Sequence, residues 1–139
     1  MFIQWSPAFE LGIPRIDAEH RHLTGIVNAF YEAYRAGTGR EKTFPVLNLL
    51  VKYVDVHFRS EERLMEAGRY PELLRHRREH EKLTEQIFEL AEKYEVGDSE
   101  ISFAVMQFLK HWLLDHILQE DKKIADHLRG SAIPEQWAS

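Results

Sequence analysis

Two pairs of metal-binding side chains in this 139-residue chain are spaced four residues apart within apolar stripes. His76 and His80 interrupt a helical stripe of apolar residues that continues through Leu83 and Ile87. Because residues four apart lie on one face of a helix, both imidazoles can reach one metal ion. The alternative is a pair of core histidines whose nitrogens are satisfied by hydrogen bonds.

A histidine and a carboxylate repeat this spacing earlier in the chain. His57 and Glu61 occur in an apolar stripe that includes Phe58 and Met65. An ionised carboxylate is costly to bury alone, so Glu61 at this position favours an ion pair or a metal ligand. If the helix were rotated, Glu61 would instead be solvated, as is expected for Glu62.

Two further histidines also share a face with apolar residues. His20 lies three residues before Leu23, and His116 lies three residues after Leu113, so each histidine is on the same helical face as that leucine. Each of four predicted helices thus carries a core-facing histidine, and the five imidazoles exceed what one tetrahedral zinc requires. Together with at least one carboxylate, they suit two ions of iron, manganese or zinc. The other three histidines are expected at the surface: His22, His111 and His127.

The helices that must position these residues are separated by Gly and Pro. An extended arm is predicted over 1–15, followed by helices over about 17–37, 43–67, 71–94 and 99–128. Asp17 is the expected N-cap of the first helix, and Pro45 is expected in the first turn of the second. Four long helices with short connections predict an all-α, antiparallel up-down-up-down four-helix bundle, formed by a single domain over 1–139.

Composition excludes several other classes of protein. The 18 Lys+Arg against 23 Asp+Glu give a formal net charge of −5, which disfavours binding to nucleic acid. The absence of Cys excludes disulfides, thiolate zinc sites, iron–sulfur clusters and cysteine nucleophiles. No apolar run approaches the roughly 20 residues of a membrane span, and no signal peptide is evident, so we expect a cytoplasmic protein without membrane contact.

Taken together, these residues resemble the ligand set of the hemerythrins, and most closely the single-domain bacterial members. The resemblance covers nearly the whole chain, and its motifs occur in the family's order. The matching ligand motifs are Asp17-Ala18-Glu19-His20, His57-x3-Glu61, His76-x3-His80 and His116-x4-Asp121. The matching surroundings are Trp5, Gly12, Tyr70-Pro71 and Trp112-Leu113.

The resemblance implies a non-haem di-iron centre (Fe2+/Fe3+) with a hydroxide or oxide between the ions, which binds O2 reversibly. The implied ligands of one iron are His76, His80 and His116. The implied ligands of the other, which keeps an open position, are His20 and His57. The implied bridging carboxylates are Glu61 and Asp121. The residues expected to wall the O2 pocket are Trp112, Leu113 and Ile117.

Helical periodicity and the family pattern differ on one ligand. Glu120 is four residues after His116 and lies near the centre of the apolar arc, whereas Asp121 lies about 100° further round a regular helix. The family pattern selects Asp121, and we follow it because a carboxylate that bridges two ions need not approach from the face of the histidine.

The function implied by this resemblance is oxygen binding without turnover, as a carrier, store or sensor. A monomer is expected, with O2 as its partner. The alternative is a di-iron enzyme that acts on peroxide or nitric oxide, or a protein that handles iron. The sequence offers no evident acid or base for such an enzyme beyond the implied ligands.

Overall fold

Residues 2–37, 40–95 and 103–129 are described by the structure, a computed structural model, and within them every regular element is helical. The α-helices are α1 (Pro14–Arg35), α2 (Arg40–Ala67), α3 (Leu73–Glu95), α4 (Phe103–Asp115) and α5 (Lys122–Leu128). The arm, predicted to be extended, contains a short 3-10 helix at Pro7–Phe9. A π-helical segment, His116–Asp121, joins α4 to α5, so these three elements form one continuous fourth helix. Helix α1 packs against α2 and α4, and α2 packs against α3. The predicted all-α four-helix bundle is confirmed.

The first helix begins at Pro14, before the predicted N-cap Asp17. Proline is preorganised for the first helical position, where its missing N–H removes no hydrogen bond. Asp17 lies in the first turn, and its carboxylate accepts hydrogen bonds from the N–H groups of Leu11, at 2.8 Å, and Gly12, at 3.1 Å. Gly12 has a φ of 82°, which glycine adopts readily. Asp17 therefore attaches the N-terminal arm to α1 and does not act as the N-cap of that helix.

The other helix boundaries also differ from those expected. Helix α2 begins at Arg40, so Pro45 lies inside the helix and not in its first turn. Its side chain is exposed, and the cost is the intrahelical hydrogen bond that proline cannot donate. Helix α3 begins at Leu73. The predicted turns at 38–39 and 97–99, the predicted start of the fourth helix at 99–102 and the residues after 129 lie outside the described residues.

Two apolar clusters occupy the bundle, with buried polar residues between them. On α1, His20 lies between Ile16 of the smaller cluster and Leu23 of the larger one. The same order occurs on the fourth helix, where Asp121 lies between Ile117 and Ile124. The folded helices thus bring their polar residues to one level of the bundle. None of the described helices has the length and apolar character needed to span a membrane.

Candidate metal centre

All seven side chains that resemble hemerythrin ligands meet in the centre of the bundle. They come from all four helices, and none is more than 5% exposed. The seven are His20, His57, Glu61, His76, His80, His116 and Asp121. A set of buried histidines and carboxylates of this kind is expensive unless its members are paired or bind a metal.

The seven residues form two overlapping groups. In each group, one ligand atom from every residue lies within 4.8 Å of those from the others. The first group contains Glu61, His76, His80, His116 and Asp121. The second contains His20, His57, Glu61 and Asp121. The two carboxylates thus belong to both groups and lie between a set of three histidines and a set of two.

Histidine nitrogens lie close to the oxygens of both shared carboxylates. The Nε2 atom of His57 lies 2.6 Å from Oε1 of Glu61. The Nε2 atom of His20 lies 2.9 Å from Oδ2 of Asp121, and that of His116 lies 3.0 Å from Oδ1 of the same residue. The nitrogens and oxygens that could bind metal therefore face a common centre.

The π-helical segment brings Asp121 to this centre. In a regular α-helix, residue 121 would lie about 140° around the axis from His116. A π-helical turn instead pairs residues five apart, which places Asp121 over His116. Glu120 faces away and contacts Arg75, with Oε2 at 3.3 Å from Nη2. Of the two acidic residues, Asp121 is the one that reaches the centre.

Without a bound metal, the positive charge of the site comes from protons on its histidines, and the negative charge comes from its carboxylates. Burial and Asp121 raise the pKa of Glu61, but the charges of His57 and His116 outweigh them and lower it to about 2. Burial lowers the pKa of His57, but Glu61 and Glu19 outweigh it and raise it to about 9. Burial also raises the pKa of Asp121, but the charge of His116 outweighs it and holds that pKa well below its ordinary value. Both shared carboxylates are therefore anionic at neutral pH, and cations must balance them.

Many polar atoms of the site lack a hydrogen-bonding partner in the described part of the chain, although they lie close to one another. Those that face the centre are Nε2 of His20, His57 and His76, Oε2 of Glu61 and both carboxylate oxygens of Asp121. Buried polar atoms left unpaired cost free energy, and bound metal ions would satisfy them. Imidazole and carboxylate ligands suit iron, manganese and zinc, so these residues fit the di-iron centre implied by the resemblance.

Two carboxylates at the site were not predicted from the sequence to contact the histidines. Glu19 Oε1 lies 2.7 Å from Nδ1 of His57, and Glu62 Oε2 lies 2.9 Å from Nδ1 of His80. The expectation that Glu62 is solvated is wrong: it is 6% exposed, and its carboxylate contacts the imidazole of His80 and the guanidinium of Arg59. The sequence contained one indication of these contacts, because each acid is adjacent in sequence to an implied ligand.

The three residues expected to wall an O2 pocket are buried beside the histidines. Leu113 and Ile117 belong to the larger apolar cluster, as does Trp112. Trp112 and His116 also line a surface cleft of about 390 Å³ between α3 and the fourth helix. The three histidines expected at the surface are exposed: His22, His111 and His127.

Comparison with known proteins identifies relatives that match most of the chain. A family model described as the hemerythrin HHE cation binding domain matches residues 11–128. A bacteriohemerythrin of Methylococcus capsulatus is 30% identical over 119 residues, which are 85% of this chain and 90% of that protein. A bacteriohemerythrin of Clostridium acetobutylicum is 31% identical over 131 residues, which are 91% of this chain and 100% of that protein.

The fold also matches a solved structure. A crystal structure of wild-type hemerythrin aligns with a TM-score of 0.86 at 29% sequence identity, and the alignment covers 92% of this chain and 98% of that one. The likeness therefore extends over most of the chain.

Proposed function

The chain belongs to the hemerythrin family, and from that premise we propose that it binds O2 reversibly at a non-haem di-iron centre, as an oxygen carrier, store or sensor. One observation carries the proposal: a three-histidine group and a two-histidine group share the same two carboxylates, Glu61 and Asp121. A single tetrahedral metal needs four ligands, whereas seven buried ligands around two shared carboxylates suit two ions.

The geometry supports a division of the ligands between the two ions. The proposed ligands of one iron are His76, His80 and His116. The proposed ligands of the other are His20 and His57. The proposed bridges are Glu61 and Asp121, together with a hydroxide or oxide. The ion with two histidines has one protein ligand fewer, and this leaves a position for O2.

When bound, the two ferrous ions supply the binding position and two electrons that O2 takes up and returns on release. The protein must then keep this pair in a dry environment. Phe58 stacks on His80 with ring centroids 3.8 Å apart, and Leu113 and Ile117 are at most 1% exposed. These apolar side chains limit the entry of water and protons, which would otherwise favour irreversible oxidation.

The charge of such a centre is compatible with its burial. Two ferrous ions contribute +4, and two carboxylates and one hydroxide contribute −3, which leaves +1. A residual charge this small, spread over neutral imidazoles, is much cheaper to bury than the separate ions.

The test is an iron count combined with absorption spectroscopy. Purified protein should hold two irons per chain. The anaerobically reduced form should gain visible absorption in air and lose it on degassing, over repeated cycles. Binding of fewer than two irons would contradict the proposal. Steady consumption of peroxide or nitric oxide, without reversible absorption in air, would favour the enzyme alternative.

A further inference from the structure

In each of the two histidine groups, one histidine has its Nδ1 atom directed away from the centre and in contact with a carboxylate that does not face the centre. We propose that Glu19 and Glu62 are positioning residues, which orient His57 and His80 respectively so that their Nε2 atoms face the metal ions. This inference rests on the proposed function, because it assigns these residues a role toward the di-iron centre.

Glu19 is held in place by contacts to both of its oxygens. Its Oε1 lies 2.7 Å from Nδ1 of His57, while its Oε2 accepts a hydrogen bond from the Ser60 hydroxyl at 2.9 Å. The guanidinium of Arg15 lies 3.6 Å from Oε2. The side chain is only 13% exposed. A carboxylate fastened in this way can fix the orientation of the imidazole that it contacts.

Glu62 has an equivalent arrangement on the other group. Its Oε2 lies 2.9 Å from Nδ1 of His80, and its Oε1 lies 3.1 Å from Nη1 of Arg59. Arg77 is a second cation nearby, with Nε at 3.5 Å from Oε1. The ring of His80 also stacks on Phe58, with an interplanar angle of 2°. Both the plane and the outer nitrogen of His80 are thus constrained.

Glu19 and Glu62 each contact a histidine on the next helix of the bundle. Glu19 precedes His20 on α1 and contacts α2, while Glu62 follows Glu61 on α2 and contacts α3. Adjacent residues on a helix point about 100° apart, so one faces the centre while its neighbour faces the next helix. Helices α1 and α2 thus each supply an inward ligand and support a histidine of the following helix.

This support is selective among the histidines. Within the described residues, the Nδ1 atoms of His20, His76 and His116 have no hydrogen-bonding partner. A carboxylate that accepts from Nδ1–H fixes the tautomer with its lone pair on Nε2, the nitrogen that faces the centre. His57 and His80 are therefore the two histidines whose tautomer the protein sets, one for each iron.

The experiment compares Glu19→Ala, Glu19→Gln, Glu62→Ala and Glu62→Gln with wild type. Ferrous-ion affinity is measured by competition with a chelator, after circular dichroism has shown that each variant is folded. Matched controls are Glu32→Ala on α1 and Glu66→Ala on α2, both of which alter exposed glutamates. Side-chain nitrogen NMR of the zinc-loaded proteins, in which both imidazoles must be neutral to bind, reports whether Nδ1 of His57 and of His80 carries a hydrogen-bonded proton.

The Ala variants should lose about 10- to 100-fold in ferrous affinity. The Gln variants, which keep an oxygen that accepts from Nδ1–H, should recover most of that loss, and the controls should match wild type. In the NMR spectra, the Ala variants alone should lose the defined Nδ1–H signal.

Two results would overturn the inference. If Gln were as damaging as Ala, the charge that pairs with Arg15, Arg59 and Arg77 would be what matters, and not the orientation of the histidines. If Ala matched the controls in both measurements, the contacts would be incidental. Failure of the wild-type protein to bind iron would contradict the proposed function instead, and the NMR comparison of the zinc-loaded proteins would still decide the positioning role.

Discussion

The Nε2 atom of His116 lies 3.0 Å from Oδ1 of Asp121, across the π-helical turn that joins α4 to α5. Five residues separate the two side chains in sequence, a spacing that would point them in different directions on a regular α-helix. The wider turn brings both to the centre and leaves Glu120 in contact with Arg75 at the edge. A local change in helix type therefore determines which carboxylate of the fourth helix reaches the centre of the site.

The first prediction concerns this choice of carboxylate. Asp121→Ala should lose most of its iron, because it removes an oxygen that lies between both histidine groups. Glu120→Ala is the matched control and should keep two irons per chain. Iron is counted by atomic absorption after gel filtration. Loss of iron in Glu120→Ala, but not in Asp121→Ala, would reverse the assignment.

The second prediction concerns the attachment of the arm. Asp17→Ala leaves the N–H groups of Leu11 and Gly12 without their acceptor, and each should cost about 1–3 kcal/mol of the free energy of unfolding. Asp55→Ala, which removes only a surface ion pair, should cost at most about 1 kcal/mol. Urea denaturation of iron-loaded protein measures both. Equal effects of the two substitutions would show that Asp17 does not fasten the arm.

The third prediction concerns removal of the metal. Chelation leaves the inward nitrogens and oxygens of the site without partners, so the thermal midpoint should fall. At a free metal concentration about a thousandfold above Kd, bound metal contributes about 4 kcal/mol. Zinc should restore the midpoint without the absorption that responds to air, because zinc has no redox chemistry. A midpoint unaffected by chelation would contradict a metal centre here.

The fourth prediction concerns the pH dependence of the metal-free protein. Burial lowers the pKa of His57, but Glu61 and Glu19 raise it to about 9. Stability from this residue is therefore fully present below its ordinary pKa of 6.5 and is lost as the pH rises toward 9. The lowered pKa of Glu61, about 2, contributes stability above 4.5 that is lost as the pH falls toward 2.

The combined contribution of His57 and Glu61 to the stability of the metal-free protein should accordingly be largest between about pH 4.5 and 6.5, and the free energy of unfolding should decline toward pH 9 as His57 loses its proton. Iron-loaded protein should behave in the opposite way and lose metal at acidic pH, since histidine must be neutral to bind. Urea titrations of both forms across this range provide the measurement. A metal-free protein that became more stable between pH 6.5 and 9 would refute the first expectation.

The fifth prediction concerns the apolar wall of the site. Leu113→Ala should cost about 2–5 kcal/mol by leaving a cavity, and it should admit water and speed the loss of the reversible response to air. Leu118→Ala is the matched control, because Leu118 is 38% exposed whereas Leu113 is 1% exposed. The number of air and degassing cycles that the absorption survives is counted for each. Equal survival in the two variants would show that Leu113 does not protect the site.

Much of the bundle could be predicted because helices bury one face. His76 and His80 interrupt an apolar stripe, and a stripe that repeats every three or four residues has one inward direction. The same reasoning identified His20, His57 and His116, and all five histidines are buried. The helix starts were predicted less well, because Pro14 can begin a helix without a side-chain cap and Pro45 is accommodated within one.

The four-helix bundle and the set of histidines that face its interior could both be predicted from the amino-acid pattern, because both follow from local periodicity. Periodicity alone favoured Glu120 over Asp121, and the resemblance to the family selected Asp121. The folded chain supplies the physical reason, because a π-helical turn shifts the register without leaving a sign in the apolar pattern. Likewise, only the packing of α1, α2 and α3 showed that Glu19 and Glu62 reach His57 and His80. Glu19 and Glu62 each lie beside an inward ligand, but the histidine that each contacts is on another helix. The distance between acid and histidine is therefore determined by how the two helices pack.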